Sequence, residues 1–177
     1  MTGSYGAGGA TAGGNGSRFM TQQNQWAIDA KHVIHISLSE GMDNNFPFGN
    51  SLMETIFYMW YLLENYGTND EVTYLVNNTQ MYFVPCINPD GYVYNETTNP
   101  NGGGMWRKNR RNNGGGVYGV DLNRNYSYGW GTTGTSTTPS NDTYCGPSAF
   151  SEPETQAMRW LVQNNDFEMA FNAHTYA

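Results

Sequence analysis

Charged residues are scarce in this sequence, and basic residues are the scarcer kind. Only 13% of the 177 residues are charged, with eight Lys and Arg against 15 Asp and Glu, and the formal net charge is −7. An acidic chain repels phosphate backbones and anionic lipid headgroups. Neither nucleic acid nor a membrane surface is therefore expected as a partner.

Long apolar runs and cysteines are also lacking. No apolar run approaches the roughly 18 residues of a membrane-spanning helix, so none is predicted. The two cysteines do not make a disulfide framework. Cys86 lies in an apolar segment and is expected to be a buried free thiol. The N-terminus has neither the basic nor the apolar region of a signal peptide.

The beginning of the chain differs in composition from the rest. Residues 1–28 are rich in Gly, Ala, Thr and Ser, which predicts a low-complexity or disordered segment. Residues 29–177 are expected to form one domain. Their loops, rich in Asn, Gly, Thr and Tyr with little Lys, favour an extracellular location. The sequence carries no signal for an oligomeric state.

Apolar periodicity predicts that strands alternate with helices. We expect strands over 32–38, 81–87 and 169–174, and helices over 51–66, 69–77 and 152–164. The stretch 88–119 is Gly-rich and predicts a long irregular loop, which in a compact domain is usually functional. The fold class is α/β, with a mixed, largely buried sheet flanked by helices.

The few basic residues are concentrated in one part of the chain. Five of the eight lie between Arg107 and Arg124, which suits a pocket for an anionic group, although a solvated basic loop is the alternative. Asn123 and Arg124 are adjacent, and an amide beside a guanidinium can hold a carboxylate at two points. Alternatively, Arg124 pairs with Asp121 in a buried network. Arg110 and Arg111 are expected at the rim of the pocket or as solvated charge.

Five motifs occur in a fixed order. They are NPDGY (88–92), MWRKNR (105–110), VDLNRN (120–125), GPSAFSEPET (146–155) and HTY (174–176). In this order and spacing the chain resembles the zinc carboxypeptidase family of the carboxypeptidase A type, from about Ser51 to the end. The resemblance implies a zinc-dependent enzyme that removes C-terminal residues from peptides, and an α/β fold that is incomplete at its C-terminus.

The resemblance also implies roles for individual residues. Arg107 would stabilise the developing oxyanion, a contribution of about 2.7–4 kcal/mol where such a donor has been removed; an exposed loop arginine is the alternative. Asn123 and Arg124 would bind the terminal carboxylate of the substrate. His174 would be the last zinc ligand, unless it is a hydrogen-bonded core histidine, and Asp121 would orient a ligating histidine.

The chain departs from the family before the first predicted helix. The family's His-x-x-Glu ligands would fall at Asn45 and Phe48, and the family's general base would lie beyond Ala177. A catalytic zinc site needs three protein ligands, so we expect weak or absent Zn²⁺ binding and an inactive N-terminal-half fragment. Residues 31–50 are either a real divergence or a frame disruption, and the abrupt return of the pattern at Ser51 favours the second. The alternative function is a non-catalytic binder of peptide C-terminal carboxylates.

Overall fold

The computed structural model describes residues 32–38, 50–102 and 104–173. Three strands form one sheet in the order β2-β1-β3. Strand β1 is His32–Leu38, β2 is Thr79–Val84 and β3 is Met169–Ala173. Both pairs are parallel, and parallel neighbours need crossover connections, which are usually helical. The α/β class predicted from the sequence is confirmed.

Helices fill both crossovers. The first contains α1 (Asn50–Asn65) and α2 (Asp70–Asn78), and the second contains α3 (Pro89–Thr98), a short 3₁₀ helix (Leu122–Arg124) and α4 (Pro153–Gln163). The three strands and three helices predicted from periodicity are all present, with ends shifted by a few residues. Strand β2 stops at Val84 because Pro85 has no N–H to donate to a ladder.

Helix α3 corrects the expectation of an irregular loop over 88–119. Asn88 caps it by accepting a hydrogen bond from the backbone N–H of Gly91 at 3.0 Å, and Pro89 occupies the first turn. A capping Asn followed by Pro is a helix-start signal, so the sequence does contain a signal for this helix. The rest of the segment contains no α-helix within its described part.

The core lies where α4 meets the segment that contains the 3₁₀ helix. Six buried apolar residues pack together there: Ile87, Leu122, Tyr126, Met158, Val162 and Phe167. Phe167 is fully buried and meets the ring of Tyr82 edge-on, with centroids 5.5 Å apart. Because Leu122 belongs to this core, the residues that follow it are fixed against the body of the domain.

Apolar side chains are not confined to the core. On β3, Met169 and Phe171 are 40% and 52% exposed, and on α1 the exposed side chains include Phe57 and Trp60. In the described part of the chain, no helix is both long and apolar enough to cross a membrane.

The two cysteines are both free thiols, but they occupy different environments. Cys145 is buried and Cys86 is exposed. The expectation of a buried Cys86 is therefore wrong. Strand β2 ends before Cys86, so the apolar run that suggested burial continues past the sheet.

Candidate functional site

The Asn123-Arg124 pair lies on the 3₁₀ helix, and Asp121 holds that helix at its start. The Asp121 Oδ1 atom accepts a hydrogen bond from the backbone N–H of Asn123 at 3.0 Å. The backbone N–H of Asp121 donates to the carbonyl of Tyr144 at 2.8 Å. Both Asp121 and Asn123 are buried. The backbone of the predicted carboxylate clamp is thus fixed by a side-chain cap and by the core residue Leu122.

The guanidinium of Arg124 is held mainly by carbonyl groups. Its Nε donates to the carbonyl of Gly134 at 2.9 Å and its Nη1 to the carbonyl of Asn123 at 3.4 Å. The Asp121 carboxylate is 3.9 Å from Nε, which is the outer limit of an ion pair. Pairing with Asp121 is therefore a minor restraint, and Nη2 makes no hydrogen bond to the described residues. Arg124 keeps donors for a ligand.

Arg107 is exposed, whereas the backbone around it is fixed. The buried side-chain amide of Asn88 donates to the carbonyl of Arg107 at 3.2 Å and to that of Lys108 at 3.1 Å. Gly91 is required beneath this contact, because an added Cβ would overlap the Asn88 side chain and approach the Lys108 carbonyl within 2.7 Å. The guanidinium of Arg107 has no hydrogen-bond partner among the described residues. It is therefore available to a ligand, while the backbone of Arg107 is held by Asn88.

Lys108 turns away from solvent and fastens a neighbouring loop. Its Nζ donates to the carbonyls of Pro139 and Asn141, at 2.9 and 3.1 Å. Burial lowers the pKa of the Lys108 ammonium, and the negative charges of Asp142 and Asp121 partly oppose that change. One positive charge of the basic cluster is therefore used to hold structure and not to bind an anion.

Asn109 was not singled out from the sequence, yet it joins the two arginine-bearing segments. Its backbone N–H donates to the carbonyl of Val120 at 3.0 Å, and its Oδ1 accepts from the N–H of Val120 at 2.8 Å. Its Nδ2 donates to the carboxylate of Glu152 at 2.8 Å. The loop that carries Arg107 is thereby bonded to the segment that carries Arg124.

Asn125, next to Arg124, is a second residue whose role the sequence did not reveal. It is fully buried. Its Nδ2 donates to three oxygens, those of the Cys145 carbonyl (2.8 Å), the Ser148 carbonyl (3.0 Å) and the Ser151 hydroxyl (2.9 Å). Its Oδ1 accepts from the Thr155 hydroxyl at 2.7 Å. The motif that contains Asn125 was the available signal, but the partners lie 20 to 30 residues away.

Arg110 and Arg111 both have partners in the fold, so neither is a purely solvated charge, and their expected place at the rim of the pocket stays a prediction. Arg111 Nη1 lies 2.7 Å from the Glu152 carboxylate, whose side chain is only 2% exposed. The guanidinium of Arg110 stacks on three aromatic rings, with distances to the centroids of 3.7, 4.4 and 4.7 Å for Tyr94, Trp106 and Tyr118. Cation–π contacts of this kind hold Arg110 in the fold.

The described residues do not fit a zinc site. Among them, no group of three or more His, Cys, Asp or Glu side chains could hold a metal ion. His174, the predicted zinc ligand, lies outside the described residues, as do Asn45 and Phe48. The role of Asp121 in orienting a ligating histidine therefore stays a prediction.

Similarity to known proteins adds to this geometry. A sequence profile of the family described as zinc carboxypeptidase matches residues 53–177. Carboxypeptidase A2 of Rattus norvegicus is 37% identical over 118 residues, which are 66% of this chain and 27% of that protein. Carboxypeptidase B of Bos taurus is 35% identical over 127 residues, 68% of this chain and 30% of that protein.

Solved structures agree with the sequence matches. Carboxypeptidase A from Helicoverpa armigera has a TM-score of 0.68 at 31% identity, covering 84% of this chain and 34% of that one. Thrombin activatable fibrinolysis inhibitor has a TM-score of 0.71 at 26% identity, covering 87% and 37%.

The matched structures show that the chain has a metallocarboxypeptidase fold. The chain belongs to the zinc carboxypeptidase family. It spans about a third or less of the length of the curated relatives named above.

Proposed function

We propose that this chain is a segment of a metallocarboxypeptidase catalytic domain, extending over residues 29–177, whose own part is to hold the C-terminal carboxylate of a peptide. The observation that carries the proposal is the fixed Asn123-Arg124 pair. Its backbone is capped by Asp121, and the Nη2 group of Arg124 is not used by the described residues. A guanidinium held in this way can bind a carboxylate without first being ordered.

Arg107 supports the same proposal. Its guanidinium is exposed, and its backbone carbonyl accepts a hydrogen bond from Asn88. The segment that contains Arg107 is hydrogen-bonded to the Arg124 segment through Asn109 and Val120. A positive charge beside the bound carboxylate would lie near the carbonyl of the last peptide bond. It would stabilise negative charge that develops on that oxygen during hydrolysis.

Zinc-dependent hydrolysis is the family-level activity that we assign to the longer polypeptide. Zinc would polarise the carbonyl and activate a water molecule. The partners would be peptide or protein C-termini. An extracellular location belongs to the same proposal and rests on the composition of the loops.

A pair of peptides tests the proposal. The two peptides share one sequence and differ only in a free or an amidated C-terminus, and their affinities for the 177-residue chain are measured by titration calorimetry. A charge-assisted hydrogen bond contributes about 1.5–3 kcal/mol, so the free carboxylate should bind roughly 10- to 100-fold more tightly. Equal affinities would reject carboxylate recognition.

A non-catalytic carboxylate binder is the second candidate. It is favoured by Asn45 and Phe48, which stand where the family resemblance requires zinc ligands. Incubating the longer polypeptide, to which we assign the activity, with the free peptide and Zn²⁺, and measuring release of the C-terminal amino acid, separates the two. Release that depends on Zn²⁺ supports the enzyme, and binding without release, unchanged by Zn²⁺, supports the binder.

A further inference from the structure

Glu152 is hydrogen-bonded both to the loop that carries Arg107 and to Asn125, which directly follows Arg124. Its carboxylate accepts hydrogen bonds from Asn109 Nδ2 at 2.8 Å, Arg111 Nη1 at 2.7 Å and Ser151 Oγ at 2.6 Å. The residue is 1% exposed. A buried carboxylate is strongly destabilising unless donors surround it, and here three donors, one of them charged, offset that cost.

One set of contacts runs from Glu152 to the Arg107 loop. Asn109 and Arg111 follow Arg107 closely in the chain, and both donate to the Glu152 side chain. The backbone N–H of Gly119 also donates to the carbonyl of Arg111 at 2.7 Å. The carboxylate of Glu152 therefore restrains the loop from which Arg107 projects.

The other set runs from Glu152 to the 3₁₀ helix. The backbone N–H of Glu152 donates to Asn125 Oδ1 at 3.2 Å, and Asn125 directly follows Arg124. Ser151 Oγ, which donates to the Glu152 carboxylate, accepts a hydrogen bond from Asn125 Nδ2 at 2.9 Å. The two sets of contacts share a single residue at the start of α4.

We propose that Glu152 is a positioning residue that sets the distance between Arg107 and the Asn123-Arg124 pair. The inference rests on the proposed function, because the geometry it fixes is that of a carboxylate site. Glu152 does not itself touch the ligand. Its effect passes through Asn109 and Arg111 on one side and through Asn125 on the other.

Glu152→Gln tests this role with the free and amidated peptides. The substitution removes the charge that pairs with Arg111 and keeps nearly the same shape. The preference for the free carboxylate should fall at least tenfold, whereas affinity for the amide should change less than twofold. Glu96→Gln, an exposed carboxylate on α3, is the matched control and should keep the full preference.

Arg111→Met is the second variant, and it is useful if Glu152→Gln does not fold. The Arg111 side chain is 39% exposed, so its removal is tolerated more easily, and the preference should fall about threefold. Arg159→Met, on the exposed side of α4, is its control. If both test variants keep the preference within twofold, Glu152 only stabilises the fold and the proposal is overturned.

Hydrogen exchange separates this proposal from the proposed function. In Glu152→Gln the backbone N–H groups of Val120 and Asn125 should both exchange at least tenfold faster. Faster exchange at only one of them would overturn the coupling. A wild-type chain with no carboxylate preference would overturn the proposed function, and the exchange result would still decide whether Glu152 joins the two segments.

Discussion

The side-chain amide of Asn109 lies 2.8 Å from the carboxylate of Glu152, although 43 residues separate them in the chain. The same Asn109 side chain accepts the N–H of Val120, a residue with no exposed surface. One amide thus satisfies a buried charge and a buried backbone donor at once. Such groups are costly to leave unpaired, at about 1–3 kcal/mol each.

The first prediction concerns the removal of that amide. Asn109→Ala leaves both the Val120 N–H and part of the Glu152 carboxylate without a partner, so we expect a loss of roughly 3 kcal/mol in the free energy of unfolding. Urea denaturation measures it. Asn164→Ala, which removes an exposed side-chain bond to the carbonyl of Trp160, should cost no more than about 0.5 kcal/mol. Equal losses of unfolding free energy in the two variants would mean that the buried hydrogen bonds of Asn109 stabilise the fold no more than an exposed one.

A second prediction uses two glycines that share a positive φ. Gly134 (φ 81°) has open space where a Cβ would lie, whereas a Cβ on Gly146 (φ 83°) would lie 2.5 Å from Ser151 Oγ and 2.6 Å from Asn125 Nδ2. Gly134→Ala should cost about 1–2 kcal/mol from backbone strain alone. Gly146→Ala should cost roughly 1–3 kcal/mol more because of the collision. Thermal melts of the two variants check this, and equal melting temperatures would contradict the packing around Asn125.

The third prediction concerns the pH dependence of stability. Burial raises the pKa of Glu154, and the neighbouring charges of Glu152 and Asp90 act in the same direction, against opposing hydrogen bonds from its own backbone and from Asn109. A raised pKa in the folded state means that Glu154 contributes stability below its unfolded value near 4.5. That contribution is lost as the pH rises through the folded value.

Glu154→Gln removes this titration. The stability of the variant relative to wild type should therefore increase between pH 4 and pH 7. Melting temperatures at both pH values measure the change, with Glu96→Gln as the exposed control. A difference that stays flat or falls with rising pH would show that the Glu154 environment is not as described.

The fourth prediction addresses the departure from the family pattern. If the resemblance places the missing zinc ligands correctly, Asn45→His with Phe48→Glu should raise zinc affinity at least tenfold over the parent chain. Competition against a chromophoric chelator measures this. Adding His174→Ala should remove the gain, and exchanging the two introduced residues should not reproduce it. No gain in affinity would contradict the assignment of positions 45 and 48.

Local signals in the sequence were enough for the helices and strands. The periodicity of residues 51–66 predicted α1, whereas the carboxylate-binding role of Asn123 and Arg124 stays a prediction. Helix α3 was also within reach, because Asn88 and Pro89 form a helix start. The abundance of glycine after residue 101 outweighed that signal in the prediction for the whole segment.

The partners of buried polar side chains could not be predicted in this way. The Asn109–Glu152 bond joins residues 43 positions apart and the Asn125–Cys145 bond joins residues 20 positions apart, and no spacing rule relates those positions. The same holds for Arg110, whose surroundings depend on how Tyr94, Trp106 and Tyr118 converge. Charge alone suggested the rim of the pocket or solvent for Arg110 and Arg111. It did not reveal the rings around Arg110 or the ion pair between Arg111 and the buried Glu152.

The most direct test of carboxylate recognition combines Arg124→Ala with the peptide pair in a double-mutant cycle. The affinities of wild type and Arg124→Ala for the free and amidated peptides give one coupling free energy. We predict about 1.5–3 kcal/mol, with Arg159→Ala giving none. A coupling below about 0.3 kcal/mol, with wild type still preferring the free carboxylate, would show that another group binds it and would contradict the role assigned to Arg124.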